Sequence, residues 1–428
     1  MNLILKCIEE NKIEYLKQIE TFPENQIIKI GNENQTILNF SIKKQVSKEI
    51  IENLISKGAN PNLTDILGKN SLHFACENPN ISIGIIKLLI SKGININSKT
   101  NENETALHFA CQNPNISIEI IQLLISNGIN INVNAKPLFS LTSLFSTERN
   151  SINALHFACK NPNISIEIIK LLISNGININ SKTNDNETAL HFACQNPNIS
   201  IEIIQSLISN GIDINSETKN NETALHFACK NQNPNISMEI IQLLISNGID
   251  INSKTKYNKT ALHFACQNPN ISIEIIKLLI SKGININSKT NYNETALHFA
   301  CENPNISIEI IKSLISNGID INANAKSLFS HTSLFNTRKN SINALHFACK
   351  NPNISIEIIQ LLISNGININ SKTNNNETAL HFACQNTNPN ISIEIIKSLI
   401  SKGININSKT NENKTALHLC LPKSKYFN

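Results

Sequence analysis

Ala106–Gln112 reads ALHFACQ, and this heptapeptide returns along the chain with small changes. Its histidine recurs as His73, His108, His156, His191, His226, His263, His298, His346, His381 and His418. The successive gaps are 35, 48, 35, 35, 37, 35, 48, 35 and 37 residues. A period near 35 predicts stacked supersecondary units, each too small to bury its apolar face alone.

Working outward, Thr105 precedes the heptapeptide and suits an N-cap, its hydroxyl able to accept an N–H of the first turn. Every equivalent position holds Thr or Asn, from Asn70 to Thr415. The small residues Ala106, Ala110 and Cys111 allow a neighbouring helix to approach closely, and Pro114 stops the first helix. Asn115 and Ser117 can cap a second helix, with Glu119 in its favourable first turn. Ile120, Ile121, Leu123, Leu124 and Ile125 give that helix a wide apolar stripe, with Gln122 outward. Gly128 ends it in a left-handed cap. The alternation in Gly93-Ile94-Asn95-Ile96-Asn97 predicts an extended finger with Ile96 turned inward. The finger tip carries Asn103 or, in the first copy, Gly68, the two residue types most tolerant of positive φ.

Thr105-Ala106-Leu107-His108 and Gly58-Ala59-Asn60-Pro61-Asn62 together resemble the ankyrin repeat family, whose pattern opens helix one with Thr-Pro-Leu-His and follows helix two with Gly-Ala-x-x-Asn. The resemblance covers nearly the whole chain. It implies an all-α fold: an elongated solenoid of helix-turn-helix units with short extended finger loops. Two departures are an Ala for the Pro and two extra residues in the Asn-Pro-Asn turn, which predict slightly protruding inter-helix loops. The resemblance also implies that His108 and its equivalents hydrogen-bond the finger and the helix start. Partners are implied along the concave side, at positions matching Asn101, Glu102, Glu104, Gln112 and Asn113.

The caps divide the chain into a capping segment over 1–35, with two short helices between Leu3 and Glu20, and a degenerate repeat over 36–69. Nine repeats follow over 70–414, then a truncated one over 415–428 that Pro422 breaks. The two 48-residue repeats, 105–152 and 295–342, carry extended fingers. Asn134-Ala135-Lys136-Pro137-Leu138-Phe139-Ser140 matches Asn324-Ala325-Lys326-Ser327-Leu328-Phe329-Ser330 at an offset of 190 residues, five units, which points to a segmental duplication.

Composition narrows the function. Lys plus Arg exceed Asp plus Glu by five (37 − 32), too few and too dispersed for a phosphate-backbone partner. A nucleic-acid-associated array is the alternative reading, and a salt titration with random duplex separates it from protein binding. The sequence has no secretory signal and no apolar run of the ~18 residues that cross a bilayer. Ser, His and acidic residues recur with the repeat, whereas a catalytic constellation is local, so no enzyme, cofactor or small-molecule substrate is expected. His108 and Cys111 share a helix face, but one repeat offers two ligands and a metal needs about four. The eleven Cys read as small core residues, spaced beyond the ~7 Å Cα limit for a disulfide. A reducing, intracellular and cytoplasmic setting fits them.

The expected function is non-catalytic protein binding, as a scaffold or adaptor. The third tip position varies while core positions do not: Leu67, Glu102, Asp185, Asn220, Tyr257, Tyr292, Asn375 and Glu412. Tyr257 and Tyr292 occupy adjacent tips, with Lys256 and Lys259 beside the first, a pattern suited to a binding hot spot. Phe139 and Phe145 in one extended finger, and Phe329 and Phe335 in the other, are candidates for a second, bivalent contact or for self-packing covers.

Overall fold

The computed structural model describes residues 33–136, 151–326 and 342–420, together with 27–30 and three positions near the start, Ile8, Glu10 and Glu14. The chain divides into two compact lobes, Met1–Ser216 and Glu217–Asn428. In each lobe, pairs of antiparallel helices repeat along the sequence. A heptapeptide helix such as Ala106–Gln112 is followed by a longer one such as Ile118–Ser126. The only strands among the described residues, Ile27–Ile30 and Glu33–Thr36, form an antiparallel hairpin. Thr36 then caps the helix Ile37–Lys43, its hydroxyl accepting from the Asn39 N–H at 3.0 Å. The N-terminal pair of helices expected between Leu3 and Glu20 lies largely outside the described residues.

The core follows the periodicity. Ala106, Leu107, Ala110 and Cys111 from helix one and Ile120, Ile121 and Leu124 from helix two are all essentially inaccessible, as are their equivalents in the complete repeats, save for the half-buried Ile396. In the finger, however, the inward residue is Ile94, with Ile129 and Ile177 equivalent to it, while Ile96 is only half-buried. The physical reason lies in the residues after Gly93. The chain turns there, with the Ser98 N–H donating to the Asn95 carbonyl, so strict strand alternation does not apply.

The 37-residue repeats have longer second helices, Pro234–Ser246 and Pro389–Ser401. Their two extra residues provide an Asn cap followed by Pro at N1, where its missing N–H costs nothing. Ser237 donates its hydroxyl to the Ala228 carbonyl at 2.8 Å, fixing the added turn.

Asparagine joins repeat to repeat at two levels. Asn113, expected to face a partner, is buried. Its amide donates to the carbonyls of Cys76 and Asn78 in the preceding repeat (3.0 and 2.9 Å), and its oxygen accepts from the Asn115 N–H. The same double donation recurs from Asn161 in the first lobe and from Asn268 and Asn303 in the second. The Asn-Pro-Asn turn is thus an inter-repeat strap as well as a connector.

The terminal cysteine departs from the sequence reading. Cys384 and Cys420 form a disulfide with Cα atoms 4.9 Å apart, inside the range that such a bond requires. Cys420 lies two residues after His418, where the regular cysteine lies three after its histidine, as Cys111 does after His108. It therefore occupies the position of Ala110, and the helix-to-helix spacing inferred for the regular stack does not govern it. The other eight described cysteines are free and buried.

Candidate functional site: the finger tips and the face of helix one

Each finger tip among the described residues is a tight turn. In the first lobe the Thr100 N–H donates to the Glu104 carbonyl at 2.9 Å, and the Glu104 N–H donates to the Thr100 hydroxyl at 3.1 Å. The turn requires positive φ at one residue, which is Asn103 at 63°, with Asn258, Asn293 and their equivalents at similar values. Gly68, at 78°, serves the first tip. A Cβ there would also come within 2.9 Å of the Asn101 backbone nitrogen, so both conformation and space call for glycine.

The tips are chained through their backbones. In the first lobe the Asn101 N–H donates to the Leu67 carbonyl at 2.9 Å and the Lys136 N–H to the Glu102 carbonyl at 2.7 Å. In the second lobe Lys256 donates to Asn220, Asn291 to Tyr257 (3.1 Å) and Lys326 to Tyr292 (2.7 Å). The third tip residue therefore offers its carbonyl to the next finger and leaves its side chain outward. Tyr257 and Tyr292 are 53% and 40% exposed. Their N–H groups donate to Thr255 and Thr290 hydroxyls, which hold each tip rigid. Lys326 begins the second extended finger, so the Tyr pair and the neck of that finger are contiguous. Phe139, Phe145, Phe329 and Phe335 lie outside the described residues.

Lys256 is exposed, as expected beside Tyr257. Lys259 points elsewhere: its ammonium lies 4.6 Å from the Phe299 ring centroid and 5.4 Å from that of Phe264. Burial against these rings lowers its pKa, with Glu294 opposing the shift. Lys69 lies likewise over Phe74 and Phe109, and pairs with Glu77 at 3.0 Å. Lys230 covers Phe227 and Phe264 and pairs with Glu222 at 2.6 Å. Phe109 lies T-shaped against His73 in the first lobe, and Phe264 and Phe299 lie likewise against His226 and His263 in the second, each at 5.5 Å between ring centroids.

Glu104, another expected partner contact, is buried, and burial raises its pKa. Gln112 and Asn101 are exposed, as the resemblance implied. Sequence reasoning missed Ile66. It and Leu67, 60% and 48% exposed, rim a cavity of about 400 Å³ that Phe74, Lys69 and Pro79 also line. The signal was present: an aliphatic pair stands where the next tip carries Asn101-Glu102.

The repeat histidines bridge the helix start and the finger, except that the buried Nε2 of His226 has no partner. Nδ1 of His108 accepts from the Thr105 N–H at 3.0 Å and lies 2.9 Å from the Thr105 hydroxyl, in a capping box with His at N3. The accepting role fixes the tautomer, so Nε2–H donates to the Val133 carbonyl in the finger at 3.0 Å. Burial pushes the pKa down to about 4. Cys111, on the same face, is pushed up to about 12 by burial. Among the described residues no group of three or more His, Cys, Asp or Glu is gathered as a metal would need. No helix among them is long and apolar enough to cross a membrane.

A family model matches this repeat pattern. The family model for ankyrin repeats, in three copies, matches residues 38–135, 138–218, 155–255, 198–290, 235–325 and 345–426. Among solved structures, the ankyrin repeat domain of human ASB11 is similar at 22% identity and a TM-score of 0.45, over 56% of this chain and 94% of that one. No curated protein sequence matches. Ankyrin repeats are in general protein-interaction modules. With the family model recurring over most of the chain, on helix pairs capped by Thr-His boxes and strapped by asparagine, this protein belongs to the ankyrin repeat family.

Proposed function

We infer that the chain is a non-catalytic scaffold whose protein partner docks on the finger tips and helix-one face of the second lobe. The carrying observation is the exposure of Tyr257 and Tyr292 on consecutive tips that are fixed by backbone bonds. Rigid aromatic side chains with little ordering entropy left to lose are favoured anchors. Lys256 lies beside them, and the neck of the extended finger at Lys326 continues the surface. Phe329 and Phe335, further along that finger, are candidate extensions of this site, as Phe139 and Phe145 are for the first lobe. The free buried thiols fit a reducing, cytoplasmic setting.

The test compares the full chain with its Tyr257→Ala/Tyr292→Ala variant. The partner is captured from lysate of the source cell and then titrated in purified form. Loss of more than ~2 kcal/mol with an unchanged melting curve supports the reading. Unchanged affinity removes the Tyr pair from the interface. Binding that collapses with salt and is competed by random duplex favours a nucleic-acid partner instead.

A further inference from the structure

We propose that Cys384 and Cys420 form a reversible thiol–disulfide site, oxidised by a low-molecular-weight disulfide, that latches the terminal helix Ala416–Cys420 onto the helix Ala379–Gln385.

The register shift sets this pair apart. Each complete repeat places alanine two residues after its histidine, and all nine, from Ala75 to Ala383, are inaccessible between neighbouring first helices. The terminal helix has Leu419 and Cys420 where Phe109 and Ala110 stand in a regular repeat. Moving the sulfur to the alanine position brings it across from Cys384, with a Cα separation of 4.9 Å. The regular cysteines remain free thiols with no access to solvent, and burial raises the pKa of Cys111, Cys229 and Cys301 to about 12. They supply almost no thiolate, the nucleophile that exchange needs. Cys420 is partly exposed, and Cys384, though buried, is less completely covered than the regular cysteines.

The exchange balances in two steps. The Cys420 thiolate attacks the oxidant's S–S bond, forming a mixed disulfide and expelling one thiolate. The Cys384 thiolate then attacks the Cys420 sulfur and expels the second. Two electrons pass to the oxidant, and the two protons left the thiols on ionisation. Excess small thiol reverses both steps.

The latch has something to hold. Five residues are too few for a self-supporting helix. Leu417 is 66% exposed, whereas the equivalent Leu107, Leu155 and Leu297 are buried. The terminal helix nonetheless packs on Ala379–Gln385, whose Leu380 and Phe382 are buried. Its release uncovers the helix Ala379–Gln385.

The full chain is equilibrated with oxidised or reduced glutathione, then alkylated and mapped by mass spectrometry. The expected result is one intramolecular crosslink joining Cys384 to Cys420, lost on reduction, with the eight buried cysteines unmodified unless unfolded. Hydrogen exchange over 416–420 should be at least ~10-fold slower in the oxidised form, as constraint of the open chain requires. Cys420→Ala restores the residue that every complete repeat carries and should abolish the redox dependence while keeping the fold. Both cysteines staying alkylatable after oxidation overturns the proposal. So does equal exchange in the two redox states, or crosslinking among the regular cysteines.

Discussion

Asn97 holds the segment Gly128–Asn130 of the next repeat at two points. Its amide donates to the Gly128 carbonyl at 3.0 Å, while its oxygen accepts from the Asn130 N–H at 2.7 Å. The clasp recurs from Asn62, Asn132 and Asn180 in the first lobe and from Asn287 in the second. It uses donor and acceptor together, so aspartate cannot replace it. Two residues earlier only an acceptor is needed, since Asn95 accepts from Asn97 N–H and Asp213 accepts from Asn215 N–H. That position accordingly varies between Asn and Asp along the chain, and the clasp position is Asn in every repeat.

Asn97→Asp should therefore destabilise the first lobe by about 1 kcal/mol, the net worth of a lost hydrogen bond, and Asn95→Asp should be neutral within ~0.5 kcal/mol. Denaturant melts of both variants test this. Equal effects would show that the donor half of the clasp is dispensable.

Lys256 and Lys259 should separate. Lys259→Met removes a cation from over Phe264 and Phe299 and should cost about 1 kcal/mol of second-lobe stability. Lys256→Ala, exposed beside Tyr257, should leave the melting curve unchanged and weaken partner binding. The opposite assignment would return Lys259 to the binding surface.

Acid should unfold the array through its histidines. His73, His108, His156, His226, His263, His298 and His346 each have a pKa lowered to about 4, mainly by burial. A depressed folded-state value means that the contribution is complete above the unfolded pKa near 6.5 and is lost as pH falls toward 4. Raised values at Glu104 and Glu294, due to burial, act in the opposite sense but are fewer. Unfolding at pH ~5 should take up close to one proton per buried histidine, readable by calorimetry in buffers of different ionisation heat. Absence of net uptake would mean that the histidines are already protonated in the folded chain.

Under reducing conditions the segment from Thr415 onward should exchange its amides far faster than His226–Ile245, because a five-residue helix is too short to stand by itself. Comparable protection would show that the last helix is held by something other than the Cys384–Cys420 link.

The period, the helix pairing and the positive-φ tips at Gly68 and Asn103 were readable because each depends on residues close in sequence. The joints between repeats were not. Asn113 looked like an exposed turn residue, yet its partners, Cys76 and Asn78, lie one repeat away. Glu104 reads as a surface charge in any single repeat and is buried only once neighbouring repeats surround it. Alternation favoured Ile96 over Ile94 because period two assumes a continuous strand, and the chain turns instead. Cys420 was grouped with the other cysteines by residue type, although its one-residue shift was visible in the sequence. The exposed Tyr257 and Tyr292 were legible, since nothing in the repeat pattern requires an aromatic ring there.

The necks of the extended fingers show how such a protein can change. Ala135 and Ile152 exchange backbone hydrogen bonds at 2.8 and 3.1 Å, and Ala325 and Ile342 do the same. Beneath the first neck, Asn132 reaches Gly176 across 44 residues with the same clasp that Asn97 makes across 31. Thirteen extra residues thus enter beyond the neck while the asparagine clasp below it is kept. Each neck is an insertion port, closed at its base by its own pair of backbone bonds. Foreign loops grafted between Lys136 and Ser151 should be carried as cargo, and lineages can lengthen or exchange these tips without renegotiating the scaffold.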